Sequence, residues 1–143
     1  MLEASAVLLI AVLMPLGAAS SSQGDLCLKF EPAVESITGK LVKRQFPGPP
    51  EYLSVEKGDM PEVVYLLELV TPICFYGTPG DKVNSQYVAG VTIVQVGPTD
   101  EDWLSFKKLV GKRVKAVGTC LTAHTAHHRA PVLMNVTRLE KAR

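Results

Sequence analysis

Every histidine of the chain lies within five residues, His124, His127 and His128, and Arg129 follows directly. Three imidazoles at that spacing offer three kinds of chemistry. Two of them could ligate Zn or Cu, with Glu56, Asp59 or Glu62 completing a set, although a closed structural site wants four ligands. They could titrate near pH 6.5. They could also hydrogen-bond the loop to itself, one ring anchoring the turn to backbone carbonyls while the others face water. Tyr52 and Asp59, in an earlier proline-rich segment, are the other candidate contact residues, Tyr52 as an exposed aromatic. The ligand-contact set is therefore Tyr52, Asp59, His124, His127, His128 and Arg129, with His124, His127 and His128 as the metal candidates. No nucleophile is paired with a base, no glycine loop cradles phosphate, and no acid pair is set at a catalytic spacing, so an enzyme is not expected.

The elements that must hold these residues read as strands. Val34 to Lys43, with Gly39 as a bend, gives a first strand that ends in Phe46-Pro-Gly-Pro-Pro50, since proline cannot donate to a ladder. A long loop follows, and Val63 to Val70 gives a second strand stopped by Thr71-Pro72. An irregular connection over 76–87 leads to a third strand, Val88 to Val96. Thr99 then caps a helix of about three turns, in which Trp103, Phe106 and Val110 share an apolar face that plugs the core, and Gly111 stops it. Val114 to Leu121 and Val132 to Leu139 are the last two strands, and the histidine loop, 122–131, joins them. Strand, strand, strand, helix, strand, strand is the order of the OB-fold. The fold expected is thus mainly β: a small five-stranded OB-like barrel with one short helix between strands 3 and 4. In that architecture the loops 46–62 and 122–131 are neighbours on one binding face.

Residues 4–16 form an apolar run followed by Gly17, Ala18, Ala19 and Ser20, the pattern of a cleaved export signal. The run is too short for a bilayer span, which needs roughly 20 apolar residues. The expected organisation is a signal over 1–19, a disordered leader over 20–26 and one domain over 27–143, in the periplasm or secreted. The chain carries 15 Lys and Arg against 14 Asp and Glu and would lose only Glu3 with the signal over 1–19. That balance makes no strong field for phosphate backbones, so nucleic acid is not the expected partner. Lys107, Lys108, Lys112, Arg113 and Lys115 form a modest basic segment, read as a solvated helix end and strand edge. Three cysteines in an exported protein make one pair and one leftover. Cys27 before the first strand and Cys74 after the second sit at element ends, whereas Cys120 lies inside a strand pattern, which favours Cys27 with Cys74 among the three pairings.

Residues 123–133, Ala-His-Thr-Ala-His-His-Arg-Ala-Pro-Val-Leu, resemble the exported bacterial family called domain of unknown function 4431. The resemblance extends to Phe46-Pro-Gly-Pro-Pro50, Gly58-Asp59, Pro72-Ile-Cys74, Gly111-Lys-Arg-Val114 and Gly118, over roughly residues 27 to 140. It implies export in Gram-negative bacteria and brings no assigned catalytic residue. The family pattern often has a histidine where this chain has Arg129, which weakens a multi-histidine metal site. It has an apolar residue where this chain has Cys120, which supports Cys120 as the unpaired cysteine. The domain also resembles modules that accompany lysozyme-inhibitor-type domains.

The expected function is an exported, monomeric binding module that contacts a protein or cell-envelope component through loops 46–62 and 122–131, without a cofactor. A periplasmic metal-binding or metal-sensing protein using Zn or Cu is the alternative, and lysozyme-inhibitor-like envelope defence a more distant one.

Overall fold

The computed structural model describes residues 26–143. The expected signal over 1–19 and most of the leader lie outside them. Leu26, the last leader residue, is tied down: its carbonyl accepts the amide of Cys74 at 2.9 Å.

The described residues form six strands, one short α-helix and a 3-10 turn (Val55–Lys57): β1 (Cys27–Lys29), β2 (Val34–Pro47), β3 (Pro61–Tyr76), β4 (Val88–Pro98), α1 (Trp103–Leu109), β5 (Arg113–Thr122) and β6 (Val132–Lys141). Five of the strands form a ring of pairings, β3 to β2, β2 to β5, β5 to β6, β6 to β4 and β4 back to β3. All are antiparallel except β4 with β6. The short β1 was not legible in sequence; it runs parallel to the end of β3, with Cys27 opposite Cys74.

The core follows the two-residue period of the strands. Ile37 and Leu41 of β2, Val114, Ala116 and Cys120 of β5, and Val132, Met134 and Val136 of β6 all point inward, with Tyr65, Leu67 and Phe75 from β3. The opposite face of β3 carries a second, smaller cluster in which Val64 and Leu66 lie under Ala130 of the histidine loop and Phe46. The loop is therefore seated on apolar side chains of the strand beneath it.

Four expectations are corrected. β3 does not stop at Pro72. Its register with β4 jumps from Glu68 opposite Ile93 to Ile73 opposite Val91, so the proline falls in a bulge where no ladder donor is required. The helix is capped by Asp102, not Thr99. The Asp102 carboxylate accepts the Leu104 amide and the Ser105 hydroxyl, while the Thr99 hydroxyl donates to the Val136 carbonyl at 3.1 Å. The helix is accordingly two turns long. Phe106 is a core plug as expected, but Trp103 is 43% exposed and stacks on Tyr65 with ring centroids 5.5 Å apart. Gly111, at φ +82°, does end the helical segment.

Cys27 and Cys74 form the disulfide, and Cys120 is a buried free thiol. Both bonded cysteines lie inside strands and face each other across the β1–β3 ladder, so the bridge staples a pairing three residues long.

Candidate functional site

The turn after β2 is built by Asp59. Its carboxylate accepts the amides of Glu51 at 2.8 Å, Leu53 at 2.7 Å and Ser54 at 2.8 Å. Those amides, Ser54 foremost, hold its pKa below the ordinary carboxylate value against the opposing effect of burial. Gly48 and Met60 close the base of the loop through backbone hydrogen bonds at 2.6 Å and, from Met60 to Pro49, at 2.8 Å. Asp59 is thus turned into the loop and does not present an exposed carboxylate. It is 6% exposed and spent on the loop's own backbone.

Tyr52, half-buried and not the exposed aromatic expected from sequence, is the residue this turn directs at the histidine loop. It has φ +58°, a left-handed conformation that costs a non-glycine residue energy and is held only where surroundings over-determine it. Its hydroxyl meets Nε2 of His127 at 3.2 Å, while Nδ1 of the same ring meets the Glu62 carboxylate at 3.0 Å and 3.1 Å. Glu62 also accepts from Arg129, at 3.3 Å. Arg129 reaches further, donating to the Pro47 carbonyl at 2.6 Å and lying over the rings of Phe46 and Tyr52 at 5.2 Å and 5.6 Å. Its side chain is only 13% exposed. Arg129 is a clamp between the loops, and not the free contact the sequence suggested.

The remaining histidines shape their own loop. His128 Nδ1 accepts the amides of His124 at 2.9 Å and Thr125 at 3.2 Å. It must therefore be unprotonated at Nδ1, and its imidazole pKa is lowered by burial first and then by His124 and His127. His128 anchors the loop through amides, beside the carbonyl anchoring expected from sequence. His124 does use a carbonyl, with Nδ1 2.9 Å from the oxygen of Thr122. That bond makes Nδ1 the donor and leaves Nε2 with a lone pair. His127 has both ring nitrogens engaged, and His128 carries its hydrogen on Nε2. The three imidazoles therefore do not aim lone pairs at a shared point. Among the described residues no three His, Cys, Asp or Glu side chains are grouped to hold a metal ion.

The two unusual loops do meet, as the strand order led us to expect, and three partners of that meeting escaped sequence reasoning in their roles. Glu62 is the hub, where only a metal-ligand role had been considered for it. The pairing of Glu62 with Phe46 across the base of the β2–β3 hairpin was the signal that placed it there. Gln95 of β4 binds the histidine loop twice, donating to the His127 carbonyl and accepting the Arg129 amide. The third is the Pro47 carbonyl.

Among the described residues no helix is long and apolar enough to cross a membrane, which says nothing of strands. No curated protein and no solved structure matches the chain. The upstream segments around Phe46, Asp59 and Cys74 lie outside the residues that a family model matches. That match runs from the middle of β4 through α1, β5 and the histidine loop to the end of β6: residues 93–140 match the family described as Domain of unknown function (DUF4431).

Proposed function

We propose that this chain is an exported binding module with an OB-like barrel, and that it grips a protein partner with the β2–β3 loop, 48–60, backed by the histidine loop. One observation carries the reading. The Asp59 carboxylate fixes a loop whose apolar residues point away from the core, Leu53 at 77% and Met60 at 65% exposure. Exposed apolar side chains on a mobile loop would be ordinary. On a loop pinned by three amides and bolted to its neighbour through Tyr52, they are a pre-ordered contact surface that binds without a large ordering cost.

The OB-like description rests on the ring of pairings, the parallel β4–β6 contact and the helix between β4 and β5. In that architecture the β2–β3 and β5–β6 loops flank the binding face. A disulfide suits an oxidising compartment. A metal role for the histidines has less support, since only His124 keeps a free ring lone pair.

The test is photo-crosslinking from position 56, exposed on the same loop, in periplasmic extract, followed by the same capture with Leu53→Asp/Met60→Asp added. Partners that bind through this loop disappear from the double variant, while its melting temperature stays unchanged. Capture of the same species by both proteins would overturn the reading.

A further inference from the structure

A second feature lies at the other end of β2, away from the loops. From Lys40 to Pro47, β2 pairs with β3. Beyond Lys40 the two strands part, because β2 continues along β5 while β3 turns to meet β1. Gly39 stands at the parting, where a Cβ would approach the Glu68 carbonyl to 2.8 Å. The parting opens a trough of about 560 Å³ with an apolar floor made by Leu28, Ile37 and Ile73. Val70, fully exposed, and Leu26 stand at its rim.

A basin of about 500 Å³ adjoins the trough, with Thr38 and Arg113 lining both. The basin is cationic, lined by Arg113, Lys115, Lys141 and Arg143 with Glu140 as its acid. Lys40 sits directly opposite Arg113 in the β2–β5 register. Like charges facing each other across a ladder repel. Lys40 also faces Glu68 in the β2–β3 register and Arg113 donates to the main-chain oxygen of Arg143 at 3.2 Å, but neither has a side-chain ion pair among the described residues. An anion between them would remove that repulsion, and Arg favours the oxygens of phosphate.

We propose that the trough and basin together bind a single-chain phospholipid as a monomer, the acyl chain over Leu28, Ile37 and Ile73 and the phosphate on Arg113, Lys115 and Lys141. The volumes are those of small-ligand sites. The continuity of an apolar channel with a cationic end matches an amphiphile, where either half alone would match only a fragment. The inference does not depend on the loop surface, so the two can fail separately.

The experiment is calorimetric titration of the purified protein with dodecanoyl lysophosphatidate below its aggregation concentration. Inorganic phosphate, monododecanoylglycerol and anionic phospholipid vesicles are titrated in parallel. Lysophosphatidate is expected to bind at least tenfold more tightly than phosphate or the neutral lipid. Val70→Asp, which changes a fully exposed residue, and Arg113→Gln/Lys141→Gln should each weaken it about tenfold or more with melting temperature retained, while Leu53→Asp/Met60→Asp leaves it unchanged. The proposal is overturned if either fragment binds as tightly as the whole lipid, if the trough and basin variants bind normally, if no heat is detected, or if vesicles retain the protein while monomeric lipid does not.

Discussion

Tyr52 Oη and His127 Nε2 lie 3.2 Å apart across 75 residues of chain, a contact that joins the two loops beside the shorter Arg129–Pro47 and His127–Glu62 hydrogen bonds. The ring edges also meet, with centroids 5.4 Å apart and planes at 80°. His127 is more than half exposed, so the bond competes with water and its worth is modest. A double-mutant cycle of Tyr52→Phe and His127→Ala in urea unfolding should give a coupling of about 0.5–1 kcal/mol. A coupling indistinguishable from zero would mean that the loops are held together by Arg129 and its partners alone.

His128 makes the histidine loop sensitive to acid. Its Nδ1 accepts two amides, which a protonated ring cannot do, and its folded pKa lies below the ordinary value near 6.5. In the window between those values the unfolded state binds the extra proton, so stability is complete above about pH 6.5 and is lost as pH falls below it. After correction for intrinsic exchange, the amides of His124 and Thr125 should exchange roughly tenfold faster at pH 5 than at pH 7.5. His128→Asn supplies an acceptor that does not titrate near neutrality and should flatten that profile. A wild-type profile already flat would show that the Nδ1 contacts contribute nothing to the loop.

The thiols give a third prediction. Cys120 is fully buried, and burial, then Glu35 and Glu31, push its pKa up to about 12. Thiolate is the reactive form, so the native protein should show no rapidly labelled thiol and one labelled thiol after denaturation without reductant. Cys27→Ser/Cys74→Ser should lower stability by about 2–4 kcal/mol, because the bridge closes a 47-residue separation in the unfolded chain. Rapid labelling of a native thiol would contradict the free, buried state of Cys120.

Periodicity carried the strands well because most of them have one buried face: Ile37 and Leu41, or Val132, Met134 and Val136, announce their pleat directly. Cys120 could be separated from the other cysteines for the same reason. The limits were at places where a tertiary partner overrides a local signal. Pro72 reads as a stop, yet a bulge exempts it from donating. Thr99 reads as a cap, yet Val136 takes its hydroxyl, and the cap passes to Asp102. Asp59 reads as a contact acid on a long loop, yet the folded turn brings three amides onto it. The trough below Gly39 has no local signature, since its walls come from β1, β2, β3 and the start of β5. Lys40 and Arg113, which face each other there, are 73 residues apart in sequence.

Gly118 shows how tightly the β5–β6 pairing is made. The ladder shifts register between Val117 and Gly118, and the added residue brings the glycine against the backbone of Asn135 and Val136. A Cβ at this position would overlap the Asn135 carbonyl, and backbone in the middle of a ladder cannot rotate aside as the end of a flexible side chain would. Gly118→Ala should therefore destabilise the protein by about 1–3 kcal/mol in urea unfolding, although alanine normally favours the folded chain over glycine by reducing unfolded-state entropy. Because the strands on either side carry the histidine loop, the variant should also loosen the amides of Ala123 and His128 that close it. A loss below about 0.5 kcal/mol would show that β6 can move away from β5 at little cost. The bulge would then be a tolerated irregularity that does not hold the loop in place.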